Sequence, residues 1–158
     1  MLRNRSYQPE LLDNDNIPVK DLYQNLVELN IINTWLGGHD ITLAGMTQII
    51  KGSNKTSFTV ADVGCGGGDN LKALAKWGRK YGIQLKFTGI DLKQDCITFG
   101  QENCKDFPEI NFICSDYKHV DENFDIVMCA LFCHHLNDQQ MVEYLKWSYS
   151  HANIGCFI

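Results

Sequence analysis

Val60-Ala61-Asp62-Val63-Gly64-Cys65-Gly66-Gly67-Gly68-Asp69-Asn70 is the stretch whose reading decides the fold. An apolar strand runs into an acid, then into a glycine-dense turn, then into a helix start. Glycines let the backbone adopt positive φ and let a ligand lie against the main chain. The helix that follows aims its unpaired N–H groups at whatever sits in the turn. Such a turn holds a nucleotide-like ligand at the carboxyl edge of a parallel sheet.

The glycine spacing narrows the ligand. A dinucleotide fingerprint requires Gly-x-Gly-x-x-Gly. Counting from Gly64 gives Gly66 and then Asp69, and counting from Gly66 gives Gly68 and then Leu71. Both fail at the third glycine. No Gly-Lys-Ser/Thr ending is present, so a phosphate-cradling P-loop is excluded as well. The remaining pattern is Asp-x-Gly-x-Gly-x-Gly. A carboxylate just before the turn repels a pyrophosphate and suits a ligand with an ammonium group. Asp62 to Gly68 resembles motif I of the class I S-adenosylmethionine-dependent methyltransferases. In that family the acid and glycines face the methionine end of the cofactor. The resemblance implies S-adenosyl-L-methionine as cofactor and Asp62, Gly64, Cys65, Gly66 and Gly68 as residues that hold it.

Composition bounds the remaining possibilities. At 158 residues the chain suggests one domain, and its 44% hydrophobic content is ordinary for a globular protein. A formal net charge of −5 offers no footprint for nucleic acid. Lys72, Lys76, Arg79 and Lys80 make one helix locally basic, which reads as a solvated face. The Met1-Leu2-Arg3-Asn4-Arg5-Ser6 start lacks the apolar core of a signal peptide, and no apolar run is long enough for a membrane span. Seven cysteines without a secretory signal point to reduced thiols in the cytoplasm.

Along the chain, residues 1–17 are polar and read as irregular. Pro18 opens a helix with Leu22, Leu26, Leu29 and Ile32 at helical spacing, and Gly37-Gly38 stops it. Asp40 is expected to cap a second helix from Ile41 to about Ile50. Short apolar strands then alternate with helices. Strands are expected at Phe58–Val63, Leu85–Ile90, Ile110–Cys114 and Phe124–Cys129, with a buried fifth beginning near Asn153. Helices are expected after the glycine turn as far as Gly82, around Asp95–Asn103, and from Asn137 to about Tyr149. In the first of these, Leu71, Leu74, Ala75 and Trp77 form the apolar side. Strands alternating with helices predict parallel βαβ units.

Two more acids fall at strand ends. Asp91, in Gly89-Ile90-Asp91-Leu92, can accept hydrogen bonds from two ribose hydroxyls or cap a helix. Its loss is expected to cost ligand affinity with little effect on folding. Ser115-Asp116-Tyr117 follows the third strand and reads either as a ligand contact or as a turn. The resemblance assigns Asp91 and Leu92 to the cofactor ribose, and Ser115 and Asp116 to the adenine. Parallel strands bring all three acids to one edge.

Phe124-Asp125-Ile126-Val127-Met128-Cys129 matches the family's fourth motif. The segment after it reads Cys129-Ala130-Leu131-Phe132-Cys133-His134-His135-Leu136. It lacks the Asn/Asp-Pro-Pro-Tyr of adenine and glutamine N-methyltransferases and the Pro-Cys of cytosine methyltransferases. The His-His-Leu ending is similar to small-molecule methyltransferases of quinone-biosynthesis type. Cys129, Cys133, His134 and His135 invite a zinc reading, but their spacing fits no standard zinc pattern, so no metal is expected. His134 and His135 are structural or supply a base for a substrate hydroxyl. Glu10-Leu11-Leu12-Asp13 and Leu29-Asn30-Ile31-Ile32-Asn33-Thr34-Trp35-Leu36-Gly37-Gly38-His39 resemble the leader of a bacterial subfamily, which makes His39 a further catalytic candidate or a turn cap.

The reading is an α/β, Rossmann-like, doubly wound parallel sheet of the class I methyltransferase fold. Residues 1–57 form an N-terminal helical lid, and residues 58–158 form the S-adenosylmethionine-binding domain. The fold's C-terminal strands are expected to be missing, leaving a sheet edge through which copies of the chain could associate. The expected function is methyl transfer to a small-molecule acceptor, with neither nucleic acid nor membrane as partner. An NAD(P)-type oxidoreductase and a non-catalytic cofactor-binding module are the alternatives.

Overall fold

The computed structural model describes residues 17–158. The first sixteen residues, with the Glu10-Leu11-Leu12-Asp13 part of the resemblance, lie outside the described residues. Two helices come first, α1 (Val19–Trp35) and α2 (Gly38–Ile50). The alternating part follows as β1 (Ser57–Val63), α3 (Asp69–Tyr81), β2 (Gln84–Asp91), α4 (Gln94–Asn103), β3 (Ile110–Cys114), β4 (Phe124–Met128), α5 (Asp138–His151) and β5 (Ala152–Phe157).

The five strands form one parallel sheet in the order β3-β2-β1-β4-β5. The expected doubly wound sheet is therefore present. Its two faces bury separate apolar clusters because side chains alternate along each strand. Phe58 and Val60 of β1 pack with Met46, Leu71, Leu74, Phe87 and Ile97, beneath α2, α3 and α4. Ala61 and Val63 point the other way and pack with Tyr144 and Trp147 of α5. Both faces of the central strand are covered, which is why β1 reads as a nearly continuous apolar run.

Several boundaries differ from the sequence expectation. Helix α2 begins at Gly38, with left-handed Gly37 (φ 80°) as its cap, so Asp40 sits in the first turn and makes no cap bond. Two 3₁₀ turns, Tyr117–His119 and Cys133–His135, were not anticipated. Both follow strands where short polar or aromatic residues leave no periodicity to read. Strand β5 is the sheet's outer strand rather than a buried one, and Asn153, Ile154 and Cys156 are exposed. Asn137 does cap α5, within a full capping box whose other half is Gln140.

The basic face of α3 is only partly solvated. Lys72 Nζ donates to the Asn103 carbonyl (2.8 Å) and Oδ1 (2.9 Å), tying α3 to the end of α4. Arg79 forks onto Glu109 with two 2.7 Å bonds. Trp77, expected on the core side, is only half-buried, and Gly78 takes the fully buried place beside Leu74 and Ala75.

At the amino end of the sheet, the buried Asp125 carboxylate accepts from Lys55 Nζ and from the Thr59 backbone N–H (3.0 Å). Burial alone would raise this carboxyl. The bonds from Lys55 and Thr59 outweigh it and hold Asp125 below the usual carboxylate range. A depressed folded value stabilises the fold above the unfolded carboxyl's pKa, about 3.9, and that stability is lost as pH falls through the folded value. Lys55→Gln should therefore cost about 1 kcal/mol in urea unfolding at pH 7, since Lys55 is half exposed. The difference should shrink toward zero at pH 3. An equal cost at both values would contradict this assignment.

Candidate functional site

The carboxyl ends of β1, β2 and β3 open into a cavity of about 490 Å³. Its floor is the glycine turn. Gly64, Gly66 and Gly68 all have positive φ (72°, 50° and 72°), a backbone that side-chain-bearing residues rarely adopt. Gly68 N donates to the Cys65 carbonyl (2.9 Å) and closes the turn, and α3 begins at once. Helix α1 roofs it: Leu22, Asn25, Leu26, Leu29 and Asn33 line the cavity. The contact is close, since an added Cβ on Gly66 would stand 3.5 Å from Leu26 Cδ2.

Asp62, Gly64, Cys65, Gly66, Asp91, Leu92, Ser115 and Asp116 all line this cavity, as do His134 and His135. Gly68 lies behind it, where an added Cβ would stand 2.8 Å from Phe112 Cζ. Sequence reasoning did not single out the α1 side chains, Lys93, Phe132 or Gln140. The helical spacing of Leu22, Leu26 and Leu29 was visible, but spacing alone does not say that the stripe covers a cavity rather than core.

The three acids differ in their surroundings. Asp62 is 2% exposed, and its Oδ1 has no hydrogen-bond partner among the described residues. Burial pushes its carboxyl well above the ordinary range, and the negative charges of Asp69 and Asp91 add to the effect. Asp91 is half-buried and already occupied on one side. Its Oδ2 accepts from Gly66 N (2.9 Å) and its Oδ1 from Lys93 N (2.9 Å). The carboxylate thus pins the glycine turn to β2, which revises the expectation that Asp91 is dispensable for folding. It starts an Asx turn and is not the cap of α4, whose first flanking residue is Lys93. Two further lone pairs remain for a ligand. Asp116 accepts from Lys118 N (3.0 Å) and caps the 3₁₀ turn after β3, so the turn role is real there too.

Of the five buried side-chain atoms without a partner among the described residues, three belong to cavity-lining residues: Asn25 Oδ1, Asp62 Oδ1 and Tyr117 Oη. Buried polar groups are normally satisfied.

His39 does not line the cavity. Its Nδ1 lies 3.0 Å from Asn70 Oδ1 and its Nε2 3.3 Å from Asn30 Oδ1, with Asp69 Oδ2 at 3.8 Å. Asn33 Nδ2 donates to the same Asp69 carboxylate (3.0 Å), and Thr42 Oγ1 to Asn70 Oδ1 (3.2 Å). The Asn33–His39 segment therefore latches α1 and α2 onto the first turn of α3. Trp35 and Leu36, the most conspicuous residues of that segment, are 82% and 81% exposed. The His134 and His135 rings lie against each other, tilted by 43° with centroids 3.9 Å apart, and both residues line the cavity.

If the latch holds the roof, Asn70→Ala should lower stability by about 1–3 kcal/mol through unsatisfied buried partners. Hydrogen exchange should quicken through residues 22–46 and stay unchanged in β1 and β2. Uniform quickening across the sheet would show that Asn70 serves the core instead.

Comparisons with known proteins agree with this geometry. Residues 60–155 match the family described as "Methyltransferase domain". Over 98 residues the chain is 34% identical to the mitochondrial ubiquinone biosynthesis O-methyltransferase of Saccharomyces cerevisiae, covering 60% of this chain and 30% of the yeast protein. The chain thus spans under a third of that relative's length. In fold it is similar to the magnesium protoporphyrin IX methyltransferase of Synechocystis PCC 6803 solved with bound SAM (TM-score 0.66, 16% identity, 89% of this chain and 74% of that one). It is also similar to a plantazolicin methyltransferase solved with a substrate analogue and SAH (TM-score 0.58, 20% identity, 85% and 56%). The strand order, the glycine turn between β1 and α3 and the family match agree: the chain belongs to the methyltransferase-domain family.

Proposed function

We propose that this chain binds S-adenosyl-L-methionine in the cavity at the ends of β1, β2 and β3 and transfers its methyl group to a small-molecule acceptor. The observation that carries the reading is a cavity of about 490 Å³ at one sheet edge, lined by the glycine turn together with Asp62, Asp91 and Asp116. Asp62 would meet the ligand's ammonium group, the lone pairs left on Asp91 the ribose hydroxyls, and Asp116 with Ser115 the adenine. When bound, the cofactor supplies an electrophilic methyl on a sulfonium. The protein's task is to hold the acceptor in line with that methyl and to keep water out. In this reading helices α1 and α2 act as a lid and residues 58–158 as the cofactor domain. His134 and His135, at the cavity wall, are the candidates for accepting a proton from an acceptor hydroxyl.

A small acceptor is favoured because a net charge of −5 gives no overall attraction for nucleic acid. Among the described residues no helix is long and apolar enough to cross a membrane. The seven cysteines, none of them in a disulfide, support a cytoplasmic location. The exposed β5 edge, with Ile154 and Ile158, offers a surface for self-association.

Calorimetry should detect S-adenosylhomocysteine binding and no NAD binding. NAD binding without any response to S-adenosylhomocysteine would overturn the reading in favour of an oxidoreductase.

Asp91→Ala should weaken S-adenosylhomocysteine binding by about 2–4 kcal/mol, at ~1–2 per charge-assisted bond. It should also lower fold stability by about 1–2 kcal/mol, because the bonds to Gly66 N and Lys93 N are lost. Affinity that survives while stability falls would make Asp91 a purely structural acid.

A further inference from the structure

The loop that leaves β4 carries two thiols in contact. Cys129, 2% exposed, is anchored by its backbone N–H to the Phe157 carbonyl (3.3 Å). Cys133, half-buried, opens the 3₁₀ turn that carries His134 and His135. Their sulfurs are 3.4 Å apart. A disulfide needs about 2.05 Å, so closure asks for a modest approach of two groups already in contact. No group of three or more His, Cys, Asp or Glu side chains placed to hold a metal ion occurs among the described residues.

The intervening loop is strained. Leu131 has φ 60°, a left-handed conformation disfavoured for a leucine, and its side chain is 62% exposed. Phe132 lies against the glycine turn, where an added Cβ on Gly64 would stand 2.6 Å from Phe132 Cδ2. A ligand approaching Gly64 from that face must displace the ring. The ring in turn packs edge-on against Tyr117 and Tyr144, at centroid distances of 6.1 and 5.5 Å. Loop position therefore governs access to the floor of the cavity.

We propose that Cys129 and Cys133 form an oxidation site whose disulfide locks the 130–135 loop over the cavity. A peroxide is the oxidant. The Cys133 sulfur, the more accessible of the two, attacks one peroxide oxygen and releases water, giving a sulfenic acid. The Cys129 sulfur then attacks the Cys133 sulfur and expels the hydroxyl as a second water. Two thiols and one peroxide become one disulfide and two waters, with two electrons passing to the peroxide. Burial pushes the Cys129 thiol up, which leaves first attack to Cys133.

Treatment of the folded chain with one equivalent of hydrogen peroxide, followed by peptide mapping, should find an intramolecular Cys129–Cys133 link before any other. Cys133→Ser and Cys133→Ala should both prevent it. Crosslinks between chains through the exposed Cys114 or Cys156, or sulfinic acid at Cys133 without a link, would overturn the site. Amides 131–136 should exchange at least tenfold more slowly in the oxidised chain and recover with dithiothreitol. Unchanged exchange would overturn the lock. The effect on the cavity rests on the cofactor reading. There, oxidation should weaken S-adenosylhomocysteine binding at least fivefold, and equal affinity in both forms would remove the gating role. A reduced chain that binds no S-adenosylhomocysteine defeats the cofactor reading itself, while mapping and exchange still decide the oxidation site.

Discussion

Asp62 sits at the end of the central strand, almost wholly shielded from water, with one oxygen lacking any partner among the described residues. An isolated buried carboxylate is unfavourable by several kcal/mol, and such groups shift toward the neutral form. The neighbouring charges of Asp69 and Asp91 push the same way. Every other feature of the site is arranged around this one constraint. Register pairs Asp62 with Gly89 of β2 and Met128 of β4, so it lies at the middle of the sheet's carboxyl edge. The glycine turn follows it directly, and Asp91 holds that turn through Gly66 N. Helix α1 closes above. A cationic ligand group at Asp62 would supply the missing partner and favour the ionised carboxylate.

The same constraint sets a tension between stability and function. A group whose folded pKa lies above its unfolded value gives most stability below the unfolded value. It loses that stability as pH rises toward the folded one. Asp62 therefore weakens the free fold at neutral pH. Function-bearing polar groups often behave this way, and their removal tends to stabilise a protein while abolishing its task.

Much of this was legible in the residues. The shift from helical spacing in 22–32 to short apolar runs after Phe58 marked the sheet. The position of acids at three strand ends forecast their meeting, because parallel strands share a carboxyl edge. What escaped was tertiary. Nothing in the run of Lys72 and Arg79 distinguishes a solvated face from the bonds they make to Asn103 and Glu109. The latch of His39 depends on Asn70, far away in sequence, and a lone histidine in the first turn of a helix gives no hint of it. The dual duty of Asp91, structural through Gly66 and free for a ligand on its other lone pairs, likewise needs the folded turn.

The most direct test is Asp62→Asn, measured twice on the same preparation. Its size is preserved and its charge is removed. At pH 7.5, in free form, the variant should melt at a higher temperature than the parent. In calorimetry it should bind S-adenosylhomocysteine at least tenfold more weakly. The parent's affinity should also rise with pH as the Asp62 carboxyl ionises, a dependence that the variant loses. A variant that melts lower and binds S-adenosylhomocysteine as tightly as the parent would contradict the account, because Asp62 would then be a satisfied structural acid with no ligand to meet.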